Sequence, residues 1–458
     1  MESLPSLLYQ RSTGNYRKVQ FRNEIATQKS QLKLLNSNPR IASPHEGAIP
    51  ALQVDRNEGR FLLSGSFDST VCVFDLSKWG TDSYLQGGNK SGRGNDNQVY
   101  RPVARSVRVP RGNELETPHG HSHSVVAVSW YPVDTGAFIS ASADGAVLVW
   151  STGSMKPVIQ WKPLPSVSCM NLSTSQGRSD SLLALGSVDD SCVRLVDIRS
   201  GASSHSLVGH GKGITCLDWS PTSDITVASG SLDGTIRLWD IRKSGCRSCV
   251  TVLDRDQPFD ASKSRPLHTA YSHLANNRLE KMASPNNYKN SKSNGIISHG
   301  GSISALLFTL DGSRLVSTGT DGKLQVWDLT GNGHVLPTSF SSRPNNQQAV
   351  SRLRTKVPMI LQDFGKDTTV WTGHGSEILG YDLNKGGLPQ QVLVGHMYTV
   401  TSLDRVDHSM QVFSGAMDGM ILVWGSPPGA SSKRRKERER DWSQDRQKRI
   451  RTIKDSDK

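Results

Sequence analysis

The sequence predicts an all-β chain of seven repeated sheet units that close into a ring. Three observations carry that prediction. A Ser, an Asp and an aromatic residue recur at fixed offsets; each copy contains short apolar runs of strand length broken by turn residues; and the copies lie about 40–45 residues apart, or roughly double that.

The template is clearest over residues 209–242, where Gly209-His210 is followed by the runs ITCLDW, ITVASGS and TIRLWDI, with Ser220-Pro221 and Asp233-Gly234 at the breaks. Counted from the turn acid Asp233, Ser229 lies four residues before it and Trp239 six after, with His210 ahead of them. The same offsets recur for Ser414, Asp418 and Trp424 with His396; for Ser317, Asp321 and Trp327 with His299; and for Ser140, Asp144 and Trp150 with His121. Ser64 and Asp68 with His45 make a fifth copy, in which Phe74 replaces Trp. A sixth copy, around Asp190, has Gly186 and Val196 at the Ser and Trp places and no Gly-His before it.

From Asp68 onward the turn acids are spaced 76, 46, 43, 88 and 97 residues apart, so three intervals are long. The last of these holds VPMILQDF, TTVWTGH and EILGYDL, which form a degenerate seventh repeat with Gly375 at the turn-acid place and Tyr381 where Trp is expected. The other two hold polar, irregular stretches, read as loop inserts near 79–99 and 254–298, with fourth strands at about 103–109 and 249–253. Closing the ring needs a strand from the other end of the chain. Residues 30–36, SQLKLLN, alternate Leu32 and Leu34 and are expected to supply the outer strand of the last unit, making 30–425 one domain.

Ahead of the ring, Leu4, Leu7 and Leu8 have the spacing of a short amphipathic helix. Gly14 breaks it, and Asn15 caps a second helix from Tyr16 to about residue 29, in which Tyr16, Val19 and Ile25 are the sparse apolar positions. This helix-loop-helix arm (1–29) is too weakly amphipathic to hold to the ring unless another protein covers it. Residues 426–458 form a basic tail that is expected to be disordered. Within it, 433–458 holds twelve basic and six acidic residues, about half of the chain's net charge of +13.

The whole chain has 458 residues, 35% of them apolar and 21% charged. No stretch approaches the roughly 18 apolar residues of a membrane span, and the first residues lack the pattern of a secretory leader, so an intracellular, soluble chain without a membrane partner is expected. Its six Cys form no dense framework; Cys72, Cys192 and Cys216 fall in apolar runs suited to buried free thiols.

Gly-His, a Ser-bearing strand, an Asp turn and a closing Trp-Asp resemble the WD-repeat family over roughly residues 32–425. The resemblance implies a seven-bladed WD-repeat β-propeller in which His, Ser, Asp and Trp of each blade form a hydrogen-bonded chain. His210, Ser229, Asp233 and Trp239, and likewise His396, Ser414, Asp418 and Trp424, are then structural. Residues 227–242, VASGSLDGTIRLWDIR, are similar to the sixteen-residue motif by which WD-repeat substrate receptors engage the damaged-DNA-binding adaptor of cullin-4 ubiquitin ligases. The motif ends on Trp239, Asp240, Ile241 and Arg242, and the preceding repeat keeps Asp197 and Arg199 but has Val196 for Trp. Arg suits such a contact because its rigid fork of donors meets carboxylates and carbonyls bidentately.

LLYQRSTG, Asn57-Glu58-Gly59-Arg60, Trp130-Tyr131-Pro132 and the long insert after the fourth blade further resemble the Cockayne syndrome group A family of these receptors. That resemblance implies a nuclear, non-catalytic subunit in transcription-coupled nucleotide excision repair. The adaptor would be bound through Trp239, Asp240, Arg242, Asp197, Arg199, Tyr16 and Val19, with cullin-4 and its RING subunit joined through it. The Cockayne syndrome group B remodeller and stalled RNA polymerase II would be the clients. The basic tail and the Gly-rich first insert depart from the family's pattern.

Other chemistry finds little support. Cys246 and Cys249 with His268 and His273 mimic a zinc set, but the eighteen-residue gap is long and Cys249 begins a strand, so neither a metal nor a cofactor is expected. No phosphate loop, carboxylate pair outside turns or nucleophile elbow is present, so no residue is expected to be catalytic. Lys433, Arg434, Arg435 and Lys436 suit nuclear import, and the tail's charge allows nucleic-acid contact without base stacking beyond Trp442. The alternative reading is a nuclear interaction scaffold with no ligase link.

Overall fold

In a computed structural model, residues 33–34, 40–41, 43–76, 99–100, 102–106, 120–132, 135–173, 182–243, 248–253, 298–330, 334–336, 340, 357–363, 368–406 and 411–425 are described. Their strands form seven four-stranded antiparallel sheets. Blade 1 comprises Ala51–Val54, Phe61–Gly65, Val71–Asp75 and Ala104–Arg105. Blade 2 runs from Val125–Trp130 to Lys156–Trp161, blade 3 from Cys169–Leu172 to Ser203–Leu207, and blade 4 from Ile214–Trp219 to Cys249–Leu253. Blade 5 runs from Ile303–Phe308 to His334–Val335 and blade 6 from Met359–Asp363 to Gln391–Val394. Blade 7 takes Val400–Val406, Gln411–Ala416 and Ile421–Gly425 from the end of the chain, and its fourth strand is Lys33–Leu34, with Lys33 opposite Gly425 and Leu34 opposite Trp424. The expected closure from 30–36 is therefore made, and the protein is a seven-bladed propeller. Outside the blades, Arg40–Ile41 pairs in parallel with Val99–Tyr100, a contact the repeat pattern gives no hint of.

A twisted four-stranded sheet has two apolar faces and no partner within itself, so the blades must stack. Seven clusters of buried apolar side chains occupy seven interfaces, each joining two neighbouring blades, from blades 1 and 2 round to blades 7 and 1. At the first interface Phe138 and Trp150 of blade 2 stack at 5.8 Å and pack with Leu63, Val71 and Val73 of blade 1. Each such large side chain taken out of water stabilises the ring by about 1.5–3 kcal/mol.

The first strands of successive blades touch one another around the axis. Polar residues in these strands bond across to the next blade. Gln53 Oε1 accepts from the Trp130 amide at 2.6 Å, Asp218 accepts from Asn171 Nδ2 at 2.7 Å and from the Phe308 amide at 2.7 Å, and Asp404 accepts from the Val54 amide.

Two repeats differ from their sequence reading. In blade 3 the turn is one residue longer than its counterparts: Leu183 lies opposite Val196 and Leu185 opposite Arg194, so Leu185, not Gly186, takes the Ser place, while Val196 does take that of Trp. Ser166 Oγ bonds Asp189 at 2.7 Å, and Asp190 caps the following amide of Cys192 at 3.0 Å, so two acids share the work given elsewhere to one. In blade 6 His374 pairs directly with Glu377, leaving a two-residue turn at Gly375 with no room for a turn acid; Tyr381 sits at the Trp place, 4% exposed. Cys72 and Cys216 are buried thiols, but Cys192 is only half-buried, because the longer turn carries it outward. The arm (1–29), the tail (426–458) and most of both inserts lie outside the described residues.

Candidate protein-interaction faces

Five blades are held by the same hydrogen-bonded chain, with a serine hydroxyl at its hub. Ser64, Ser140, Ser229, Ser317 and Ser414 meet His45, His121, His210, His299 and His396 through Nε2 at 2.6–2.7 Å. In four of them the same oxygen accepts the indole N–H of Trp150, Trp239, Trp327 or Trp424 at 2.7–2.8 Å; in blade 1 Phe74 has no N–H to give. In blade 5, His299 Nδ1 lies 3.1 Å from a carboxylate oxygen of Asp321, which only accepts, so Nδ1 carries the proton, Nε2 accepts from Ser317, and the chain has one direction.

The far end of the chain varies. In blades 1 and 4 the residue two after the turn acid is Thr70 or Thr235, whose hydroxyl stands 3.0 Å from His Nδ1 and donates to the Asp at 2.6 Å. Blades 2 and 7 have Ala146 and Met420 there, and Nδ1 of His121 and of His396 is buried without a hydrogen bond. Burial, opposed only by the more distant Asp144 or Asp418, pushes both imidazoles down to about 4. Burial alone would raise Asp233, but hydrogen bonds from His210 and Thr235 outweigh it and hold that carboxyl well below its usual range. These acids and imidazoles are spent inside the blades.

Because each blade runs through its strands in order, the turns alternate between two faces of the ring. Turns joining first to second and third to fourth strands share the Arg242 face; turns joining second to third strands, and the loops between blades, share the Asp233 face. On the latter, the turn residue after the acid has positive φ: Gly145, Gly234, Gly322 and Gly419 at 82°, 80°, 70° and 77°, with Ser69 of blade 1 at 72°.

On the Arg242 face, the Asp that ends the third strand of blades 3, 4, 5 and 6 caps the amide two residues on: Asp197 caps Arg199 at 3.0 Å, Asp240 caps Arg242 at 3.0 Å, Asp328 caps Thr330 at 2.9 Å and Asp382 caps Asn384 at 2.9 Å. Asp240 does more. Its two oxygens accept from Nε and Nη2 of Arg242 at 3.1 and 2.9 Å, while the Arg242 side chain stays 63% exposed. In blade 3, Ser200 Oγ takes the second oxygen of Asp197 at 2.9 Å, and the exposed Arg199 guanidinium has no hydrogen bond among the described residues. Arg60, which the sequence offers only within the Asn57-Glu58-Gly59-Arg60 resemblance and with no role at the site, forks onto Asp75 at 3.1 and 3.0 Å on this same face from the neighbouring turn of blade 1. Its signal was an Arg fifteen residues before a strand-ending Asp.

Trp239 requires a correction. The sequence makes it both a tetrad member and an adaptor contact, but it is 0% exposed with its N–H spent on Ser229, so it sets the position of Asp240 without reaching the surface. Asp240 is buried, with its carboxylate bonded to Arg242. Tyr16, Val19, Lys433, Arg434, Arg435 and Lys436 lie outside the described residues, as do Cys246, His268 and His273. Cys249 is a buried fourth-strand residue, and among the described residues no group of three His, Cys, Asp or Glu side chains is placed to hold a metal ion.

The WD domain, G-beta repeat family matches residues 41–75, 112–151, 201–240, 291–328 and 387–425, so the chain carries WD40 repeats. The matched segments end on the third strands of blades 1, 2, 4, 5 and 7, those with the histidine-serine chain. Among curated proteins, the chain is similar to the WD repeat-containing protein ATCSA-1 of Arabidopsis thaliana, 28% identical over 92% of this chain and 94% of that protein. It is also similar to the Radiation-sensitive protein 28 of Saccharomyces cerevisiae, 24% identical over 51% of this chain and 47% of that protein. Ribosome biogenesis protein YTM1 of Phaeosphaeria nodorum is 30% identical over 40% of this chain and 38% of its own length.

Proposed function

We propose that this WD40-repeat propeller is the substrate receptor of a cullin-4 RING ubiquitin ligase, acting in the nucleus in transcription-coupled nucleotide excision repair. It makes no bond itself. Its contribution is proximity: one face holds the damaged-DNA-binding adaptor of the ligase, and other surfaces present clients such as the Cockayne syndrome group B remodeller at stalled RNA polymerase II. The observation that carries this reading is the Arg242 guanidinium, exposed at the end of a Trp-Asp-Ile-Arg turn and held there by Asp240. A fork fixed in this way loses little freedom on meeting a partner's carbonyls or carboxylates. Similarity to ATCSA-1 along nearly the whole of both chains supports it, as does the name of the yeast Radiation-sensitive protein 28.

The test is affinity purification of the full chain followed by mass spectrometry. Wild type is expected to recover the adaptor, and Arg242→Ala combined with Arg199→Ala to lose it while the melting temperature is unchanged. Undiminished recovery in that variant and in one lacking residues 1–29 would discard the reading. The second reading, a nuclear assembly scaffold without a ligase, is favoured by the similarity to ribosome biogenesis proteins over about half of the chain or less. It predicts complexes that contain ribosome precursors and no cullin.

A further inference from the structure

The Asp233 face carries an apolar patch that no internal contact requires. Met397 and Tyr398, in the loop from blade 6 to blade 7, are 88% and 60% exposed, and Val394 stands just before them. Met417 and Met420, in the adjoining turn of blade 7, are 36% and 48% exposed. Backbone contacts make the patch continuous. The Met417 amide donates to Thr399 O at 3.0 Å, the turn at Gly419 packs on the carbonyls of His45 and Gly47, and Gly47 abuts Phe67 of blade 1, which is itself exposed. Three of the chain's nine methionines thus share one surface, where long, unbranched thioethers adapt to an incoming apolar side chain.

Two further observations say that the patch is built to be covered, and by what. At the place of Met420, blades 1 and 4 have a threonine that completes the bonding of the buried histidine; blades 2 and 7 both leave Nδ1 bare, but where blade 2 has the buried methyl of Ala146, blade 7 presents a long thioether to the surface. A long apolar side chain kept at the surface where a threonine would bond the histidine is a local cost in stability of the kind that functional positions carry. The surroundings are also acidic. Glu46, Glu377 and Asp418 stand beside the patch, while Asp68 is spent on His45, Thr70 and Arg105, on a chain whose net charge is +13. The blades end on this face, so no open strand edge is offered and a peptide cannot add as a strand; what fits is side-chain docking.

We propose that this face of blades 6, 7 and 1 docks an amphipathic helix of a partner protein, with large apolar residues on one side and Lys or Arg along its flanks. The site lies opposite the Arg242 face and does not depend on the ligase reading.

The test uses the full chain and two fluorescein-labelled helical peptides, both with a Leu face, one flanked by Lys and the other by Glu, read by anisotropy. Wild type is expected to bind the Lys-flanked peptide and to bind the Glu-flanked one far more weakly. Met397→Ser with Tyr398→Ser weakens binding by about tenfold without changing the melting temperature, since both side chains are exposed. Met420→Thr melts higher and binds more weakly, a pairing that damage to the fold cannot produce, and Arg242→Ala binds as wild type does. Equal affinity in the Met397→Ser, Tyr398→Ser variant, or equal affinity for the two peptides, would overturn the proposal. Sedimentation showing that a second copy of the chain occupies the patch would do so as well.

Discussion

Ser229→Ala removes one oxygen and breaks two buried contacts at once. Ser229 Oγ lies 2.7 Å from His210 Nε2 and 2.7 Å from Trp239 Nε1, and Ser229 and Trp239 are wholly buried, so water does not replace it. Each group left unpaired costs about 1–3 kcal/mol, so the expected loss is about 2–6 kcal/mol, far more than the volume of a hydroxyl suggests. Blade 1 shows how to separate the two contacts, because Phe74 fills the Trp place there and Ser64 serves His45 alone. In a Trp239→Phe background no indole N–H is orphaned, and Ser229→Ala should cost about half as much, giving a coupling of about 1–3 kcal/mol in a double-mutant cycle. Urea denaturation of the four proteins, followed by circular dichroism, supplies the comparison. A single-variant loss below about 0.5 kcal/mol, or a coupling near zero, would refute the serine as the hub of the blade.

Acid should destabilise the ring well above the carboxylate range. His121 and His396 stay neutral in the fold down to about 4, whereas unfolded imidazoles take up protons below about 6.5; the unfolded chain then binds more protons, and stability falls as pH drops through that window. The sum is on the order of 3 kcal/mol per imidazole, readable as a lower melting temperature at pH 5 than at pH 7.5, and a flat profile would contradict it. Ala146→Thr should give His121 the hydroxyl that Thr235 gives His210, raising stability by about 0.5–1.5 kcal/mol and reducing the loss at pH 5; a lower melting temperature would count against it. Removing residues 1–36 should open blade 7, exposing the edge of Ile421–Gly425, and give a lower melting temperature with concentration-dependent aggregation in light scattering. A truncated chain that melts as the whole one does would show that the strand from the other end contributes nothing.

The blades that could be read in the sequence are those whose side chains bond one another, because a hydrogen-bonded chain fixes both residue type and offset. Asp233, Ser229 and Trp239 fall where counting puts them. Blade 3 escaped exact counting because one extra turn residue shifts one side of the turn against the other, placing Leu185 where Gly186 was expected while Val196 keeps the Trp place. There the whole Ser-Trp pair has become Leu185 and Val196, an apolar replacement of both partners that leaves nothing orphaned. Blade 6 has an alternative lock, Trp371 donating to Gln362 at 3.0 Å, which no repeat template contains. The cross-blade bonds of Gln53 and Asn171 had a visible signal, a single polar residue inside an otherwise apolar first strand, whereas Asp218 and Asp404 share their strands with other polar residues; in each case the meaning depends on the neighbouring blade. On the Arg242 face, the motif names together an arginine that the fold leaves exposed and a tryptophan that it buries, since a motif records what recurs without saying which member faces water.

The pairing of Lys33–Leu34 with Ile421–Gly425 also bears on biosynthesis. Nearly four hundred residues separate the two paired strands of that one sheet, so ribosomes must deliver the chain through Gly425 before the strand at Lys33–Leu34 meets the partner it needs. Until then each nascent copy displays an unsatisfied seam, available to chaperones or to the wrong neighbour, and any transcript cut short before the codon for Trp424 yields a product that cannot finish itself.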